Sequence, residues 1–529
     1  MSIDTHPSGP VIADGSGGAV AAGHVIAAQA ALDVLADGGN AIDAAIAASA
    51  VQCVVEPAWC GVGGDAFAMI HTPRVSTAIN GSGAAPTGLN GIQPGAIPRF
   101  GALSVSVPGT VETWDGMATR FGTRPFPDLL NPAIELAEKG FPVDARLAAA
   151  LGRLRPELDG YPGLARLLEA NGAEVGETFY QPQLAKTLRT IAHEGAKAFY
   201  EGSLSDALVA GLRSRGGVIT GHDLAGHWGD WLSPLSIEYR GRQILEHPPV
   251  SLGVILLQEL RILEGFDPAS LDHLGPELVD LMILCKQAAF SDSLAHLGDP
   301  HHESVPLDWM LSEDRAKWWR DEIRRSRPTS FSVSQDGPDT TSLAVVDGMG
   351  NTVTFIHSLF NEFGSREAPG DLGVILNDRL GNLVLEGGRP GGIRPGHRPV
   401  HTLNSFMVLE DDHMIMAGAT PGGRGQVQTL FQVLVRYLDH RFDIGEALRA
   451  PRWLHGSPRT RGVDGVLNLE STFPPSTAQG LAANGYQVTT VANDDTDIFG
   501  SCTLVMSDPA DHKLTAAADH RRGAAALAF

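Results

Sequence analysis

A chain of 529 residues with 43% hydrophobic and 19% charged residues has the composition of a globular protein, and its length suits two to four structural units. Its formal net charge of −22 excludes a surface built for nucleic acid or anionic membrane, because both need clustered Lys and Arg to displace counterions. Four scattered cysteines, Cys53, Cys60, Cys285 and Cys502, are too few for a disulfide framework and form no CxxC pair for zinc.

The opening residues, "MSIDTHPSGPVIADGSGG", lack the basic segment and apolar core of a secretion signal. No apolar run reaches membrane-spanning length, so a soluble, cytoplasmic protein is expected. Residues 20–37, "VAAGHVIAAQAALDVLAD", have helical spacing, and Gly38-Gly39 end that helix. Asn40 then caps a second helix, "AIDAAIAASAVQCVV", so rich in alanine that it must pack closely on most sides. The loop carrying Gly61, Gly63 and Gly64 precedes a strand rather than a helix and lacks a Walker lysine, which argues against phosphate binding.

From about Pro108 to Arg327 the pattern is mostly helical and reads as packing. Past Thr340 it changes to β-branched alternation: "TSLAVVD", a "GMGN" turn and "TVTFIHSLF". Further strands are expected at "HTLNSFMVLE", "HMIMAGA", "YQVTTVA" and "CTLVMS", with one helix, "GQVQTLFQVLVRYLDH", among them. A helical part followed by a strand-rich part, divided near Asp339, suggests stacked layers of helix and sheet.

Few groups promise chemistry. The pairs His301-His302 and His397 with His401 lack acidic partners at a known metal-site spacing, and surface or pocket histidines explain them better. No GxSxG elbow is present. In "TPGGRGQVQ", Gly422-Gly423 stand just before a helix and could offer backbone N–H groups to an oxyanion. An ordinary strand-to-helix turn would look the same. Thr340 has no neighbouring base, but cleavage of the bond after Asp339 would give it a free α-amino group, with an unperturbed pKa near 8, to serve as its own base. The loop from Ser334 to Asp339 could present that bond. On residues alone, a plain strand start is the simpler reading.

Eight segments in order, "LDVLADGGNAIDAAIAAS", "VEPAWCGVGGDAFAMI", "VPGTVETW", "HPPVSLG", "DTTSLAVVDGMGNTVTF", "FGS", "TPGG" and "APRW", resemble the γ-glutamyltranspeptidase family of N-terminal nucleophile hydrolases along nearly the whole chain. The resemblance implies a four-layer αββα sandwich. It also implies a precursor that cuts itself between Asp339 and Thr340 into a large subunit, residues 1–339, and a small one, residues 340–529. These subunits would be each other's partners, as a heterodimer or a dimer of heterodimers.

By position, Thr340 matches the nucleophile, Ser358 the hydroxyl beside it, and Gly422 and Gly423 the oxyanion hole. No metal or organic cofactor is implied, and the partner is a small-molecule amide. The substrate grip departs from the family: Ser82 replaces its carboxylate-binding arginine and Asn382 its ammonium-binding acid. His401 and Thr402 replace paired serines, and Phe360 replaces an asparagine. Arg379 stands where the family has a neutral residue and could hold a carboxylate from a new direction. "INGSG", "RPVHT" and "EFGS" resemble the branch containing oxamate amidohydrolases, with glutaryl-cephalosporin acylases further off. The expected activity is acyl transfer through a Thr340 ester, either on γ-glutamyl-like amides or on small amides such as oxamate. An unprocessed, inactive binding protein is the alternative.

Overall fold

The computed structural model describes residues 9–169, 171–325, 339–382, 390–456, 466–492 and 496–529; the side chains of Pro94, Asp339, Asn382, Thr496 and Asp497 lie outside that description. Two seven-stranded antiparallel sheets carry the architecture. The first runs in the order Ala525–Ala528, Gly18–Ala22, Asp339–Asp347, Thr352–Phe360, Asp65–Thr72, Val75–Asn80, Asp230–Leu232. The second runs Val11–Gly15, Lys513–Ala518, Thr503–Asp508, His413–Ala419, Ser405–Glu410, Arg242–Glu246, Leu235–Tyr239.

Side chains from both sheets, among them Met69, Ala344, Val346, Met407 and Val505, share one apolar layer. The outer face of the first sheet, with Leu343, Val345 and Phe355, packs on helices Val25–Ala36 and Ala41–Val55. The outer face of the second packs on Gly253–Leu263, Pro276–His296 and Gly425–Leu438. The result is the αββα sandwich. Among the described residues, no helix is long and apolar enough to cross a membrane.

The strand Asp339–Asp347 lies inside the first sheet, between Gly18–Ala22 and Thr352–Phe360. The two parts of the chain on either side of Asp339 are therefore interleaved rather than set side by side. Two expectations change accordingly. Residues 20–22 are not the start of a helix: Gly18–Ala22 is a fully buried strand, and the helix begins at Val25. Small apolar residues buried on both faces carry no period that separates strand from helix. The mostly helical stretch up to Arg327 also supplies three strands, Asp230–Leu232, Leu235–Tyr239 and Arg242–Glu246, to the sheets.

The helix Ala41–Val55 has the expected bounds, and all of its side chains are buried. Asn40 caps it by accepting from Ile42 N and Asp43 N, and Asp43 returns a bond to Asn40 N. Asp43 also accepts from Thr123 N (3.0 Å) and Arg124 N (3.3 Å), tying the helix start to a distant loop. Gly63 and Gly64 are explained by close backbone approach: a Cβ would stand 2.3 Å from Ile375 O at Gly63 and 2.6 Å from Ser358 O at Gly64. Asn40→Ala should cost about 1 kcal/mol. Asp43→Ala should cost about 3 kcal/mol, because it strands several buried donors. Urea unfolding midpoints check both.

Candidate active site

The site begins at an irregularity. Asp339 faces Phe360 and Thr341 faces His357, so the register slips between them, and Thr340 occupies the slip. Thr340 is buried, and its Oγ1 donates to Ser358 Oγ at 3.2 Å. The Ser358 Oγ also accepts from Phe360 N at 2.8 Å. Phe360 has φ 86°, a left-handed conformation that a bulky side chain adopts at a cost of about 1–2 kcal/mol.

Pro421, Ser501, Thr503, Gly23, Arg146 and Arg522 line a small cavity together with Thr340, Thr341 and Ser342. Pro421 leads into Gly422 (φ 133°) and Gly423 (φ 56°), conformations that favour glycine. Their carbonyls accept from Gly425 N (2.9 Å) and Gln426 N (3.2 Å) as the helix Gly425–Leu438 starts. Among the described residues neither glycine N–H has a protein acceptor, which leaves both available to an anion at the head of a helix.

Thr341 faces the opposite way. Its Oγ1 donates to Glu56 Oε2 (2.9 Å) and accepts from Gln52 Nε2 (2.9 Å). Gly23 makes room, since a Cβ there would lie 2.2 Å from Thr341 Oγ1. Burial pushes the Glu56 carboxyl up to about 7 against the opposing pull of Arg146, whose Nη1 is 3.5 Å from Oε1.

The strand register sets Asp65 beside Ser358, and Asp65 organises a second, wholly buried group. Its Oδ2 accepts from Arg379 Nε (3.2 Å) and from His401 Nε2 (3.0 Å), while Oδ1 accepts from Gly83 N (3.3 Å). Burial would raise the Asp65 carboxyl, but the His401 hydrogen bond and the Arg379 charge bring it below the usual carboxylate range. Burial, followed by Arg379, pushes His401 down to about 4. The imidazole is thus neutral near pH 7, with Nδ1 accepting from Leu403 N (3.3 Å) and Nε2 donating to Asp65.

The Arg379 guanidinium lies over the Phe360 ring at 4.2 Å. Its Nη1 and Nη2 are buried and make no hydrogen bond among the described residues. A buried guanidinium fork with unmet donors has the chemistry to pair with a carboxylate.

Thus Thr340, Ser358, Phe360, Arg379 and His401 are linked through contacts and paired strands. Ser82 joins them indirectly: it donates to Asn80 Oδ1 (2.7 Å), and its neighbour Gly83 reaches Asp65. Thr402 is buried, and its carbonyl accepts from Asn404 Nδ2 (2.9 Å). Asn382 closes the short helical turn Arg379–Asn382, but its side chain, like that of Asp339 and the loop Ser334 to Pro338, lies outside the described residues. His397 and His401 do not form a pair, because His401 is drawn to Asp65 while His397 stacks on His302.

Sequence reasoning missed Asp65, Glu56 and Gln52. An acid between a glycine cluster and an apolar strand in "GGDAFAMI" was the available signal for Asp65, since a lone carboxylate entering a buried strand needs a partner.

Two antiparallel sheets between helical layers, with a hydroxyl residue at the head of an inner strand, define the fold of the N-terminal nucleophile hydrolases. The family model Gamma-glutamyltranspeptidase matches residues 27–529. The chain belongs to that family, whose members are hydrolases and transferases acting on amides. It is 34% identical over 518 residues to the glutathione hydrolase-like YwrD proenzyme of Bacillus subtilis, covering 95% of this chain and 97% of the relative. It is 32% identical over 526 residues to the oxamate amidohydrolase proenzyme of Klebsiella pneumoniae, covering 97% and 98%. A cephalosporin acylase from Bacillus halodurans superposes with a TM-score of 0.90 at 32% identity, covering 100% of this chain and 99% of that one.

Glu56 makes stability depend on pH with a defined sign. A carboxyl at about 7 in the folded state and 4.5 unfolded holds its proton more tightly when folded, so stability falls as pH rises from 4.5 to 7 and then levels off. Glu56→Gln should remove about 3 kcal/mol of that slope. Melting or urea curves at pH 5 and pH 8 should show the variant gaining on the parent at the higher pH.

Proposed function

We propose that this protein is an autoprocessing amidohydrolase that forms an acyl ester on Thr340, and that it prefers an acyl group bearing a carboxylate and no α-ammonium. The observation that carries the reading is Arg379, with two buried, unbonded Nη atoms reached from Ser358 across one strand pair. Asp65 meets the guanidinium through Nε, which leaves the Nη1 and Nη2 donors for a carboxylate. The acids described around Arg379 already have partners, Asp65 in Arg379 and His401 and Asp378 in the Asn361 backbone and side-chain amides. A γ-glutamyl head group would bring an ammonium without a partner.

In processing, the Thr340 hydroxyl adds to the Asp339 carbonyl, the amide nitrogen leaves as the new α-amine, and water releases Asp339 from the ester. Residues 1–339 and 340–529 then remain together as two subunits of one fold. In turnover the α-amine takes the hydroxyl proton as Oγ1 attacks the substrate carbonyl, and the N–H groups of Gly422 and Gly423 receive the oxyanion. The proton passes to the leaving amine. Water, activated by the same amine, then cleaves the ester. Ser358 holds Oγ1 in place.

A denaturing gel should show two bands of about 36 and 20 kDa, dividing 55.8 kDa by chain length, and Thr340→Ala should leave one band and no turnover. A persistent single band in the parent protein would sink the proposal. For the substrate, glutaryl and γ-glutamyl anilides are compared with ammonia release from oxamate; faster γ-glutamyl turnover would refute the pocket assignment. Arg379→Gln combined with Asp65→Asn, which removes both charges together, should raise KM about 30-fold (about 2 kcal/mol) while the two bands still form.

A further inference from the structure

The fold regroups the histidines. His302 N and Glu303 N both donate to Asp299 O (2.9 and 2.8 Å), a helical turn that sets Asp299 and His302 at i, i+3 on one face. The turn from Arg394 to His397, closed by His397 N donating to Arg394 O (3.0 Å), brings the His397 ring onto His302 with centroids 3.9 Å apart and planes at 22°. His302 Nε2 stands 4.0 Å from Asp299 Oδ2. One ligand atom from each of Asp299, His302 and His397 lies within 4.8 Å of the other two. We propose that these three residues form a binding site for a divalent transition-metal ion of the Zn2+ type.

The donor set favours that class, since two imidazoles and one carboxylate suit a borderline dication rather than Ca2+ or Mg2+. In a tetrahedral zinc site with bonds of about 2.1 Å, ligand atoms stand about 3.4 Å apart. The present group therefore has to close by roughly 1 Å, which rotation of His302, with 41% of its side chain exposed, can supply. Asp299 is the fixed member. It is 2% exposed, with Oδ1 accepting from His301 N (3.1 Å) and Oδ2 from Arg398 N (2.8 Å), an anchored carboxylate of the kind that holds a ligand in place.

The neighbouring cations are already engaged. Arg394 Nη1 pairs with Glu303 Oε1 (2.9 Å), and Arg398 Nη1 with Asp230 Oδ2 (3.4 Å). His301 turns away to Asp230 (2.6 Å) and is not part of the set.

The site adjoins two segments that carry residues of the proposed substrate grip. His397 O accepts from Ala85 N and Gly396 N donates to Ala85 O (both 2.8 Å), which ties the segment that continues to His401 to the loop that begins at Ser82.

The test uses the full chain, freed of any affinity tag and of metal by chelator, and titrated with ZnCl2 by calorimetry. One Zn2+ per chain is expected. His302→Ala and His397→Ala should each weaken binding at least tenfold, while His301→Ala, whose imidazole pairs with Asp230 instead, should not change it. Melting curves in metal-free buffer confirm that the variants are folded, and at one fixed Zn2+ concentration the Tm of the parent should rise more than that of His302→Ala. Absence of stoichiometric binding, a loss below tenfold in His302→Ala, or an equal loss in His301→Ala overturns the proposal.

Discussion

A guanidinium taken out of water costs several kcal/mol unless its donors and its charge are met, and among the described residues Arg379 donates through one nitrogen, Nε. The surroundings answer to this constraint. Asp65 supplies the charge from the head of its strand, and two further donors, His401 Nε2 and Gly83 N, share its oxygens. His401 is kept neutral, which lets it donate without adding charge. Phe360 bends into a left-handed conformation that sets its ring under the guanidinium and its N–H on Ser358. The same strained residue thus touches the hydroxyl beside Thr340 and the side chain proposed to hold the substrate carboxylate.

The inner strand that carries Thr340 separates two chemistries by its pleat. Thr340 and Ser342 turn toward the other sheet, where Ser342 meets Thr503 Oγ1 at 2.8 Å. Thr341 turns toward the alanine-rich helix and closes a network with Gln52 and Glu56. Because Asp339–Asp347 pairs with Thr352–Phe360 on one side and, from Leu343 onward, with Gly18–Ala22 on the other, cutting the chain after Asp339 would leave the strand behind the new end still held in the sheet. That arrangement suits the proposed processing, in which a new terminus has to stay where it was made.

Much of the fold was legible. The capped alanine helix Ala41–Val55, the strand His413–Ala419 and the helix Gly425–Leu438 follow from capping chemistry, β-branching and helical period. Several of the missed strands share a cause. Gly18–Ala22 and the strands Lys513–Ala518 and Ala525–Ala528 are built largely from alanine and other small residues, which show no alternation when both faces are covered. Asp65 and Glu56 went unread because a single acid in a sequence does not announce whether it will be solvated or buried. His397 was grouped with His401 by proximity along the chain, and the fold gave each a different neighbour.

The order of eight short segments was enough to indicate the family and the sandwich and to nominate Thr340, Ser358, Gly422 and Gly423, because the resemblance is carried by local patterns of adjacent residues. Charge pairing was decided only in three dimensions. Asp65 and Arg379 are separated by more than three hundred positions, as are Asp65 and His401, and no periodicity links residues so far apart. Which cation keeps a free donor, which histidine stays neutral and which carboxylate holds its proton depend on burial and on what the neighbouring strand presents. Those are properties of the packed sheets, set by strand register rather than by any stretch of sequence read alone.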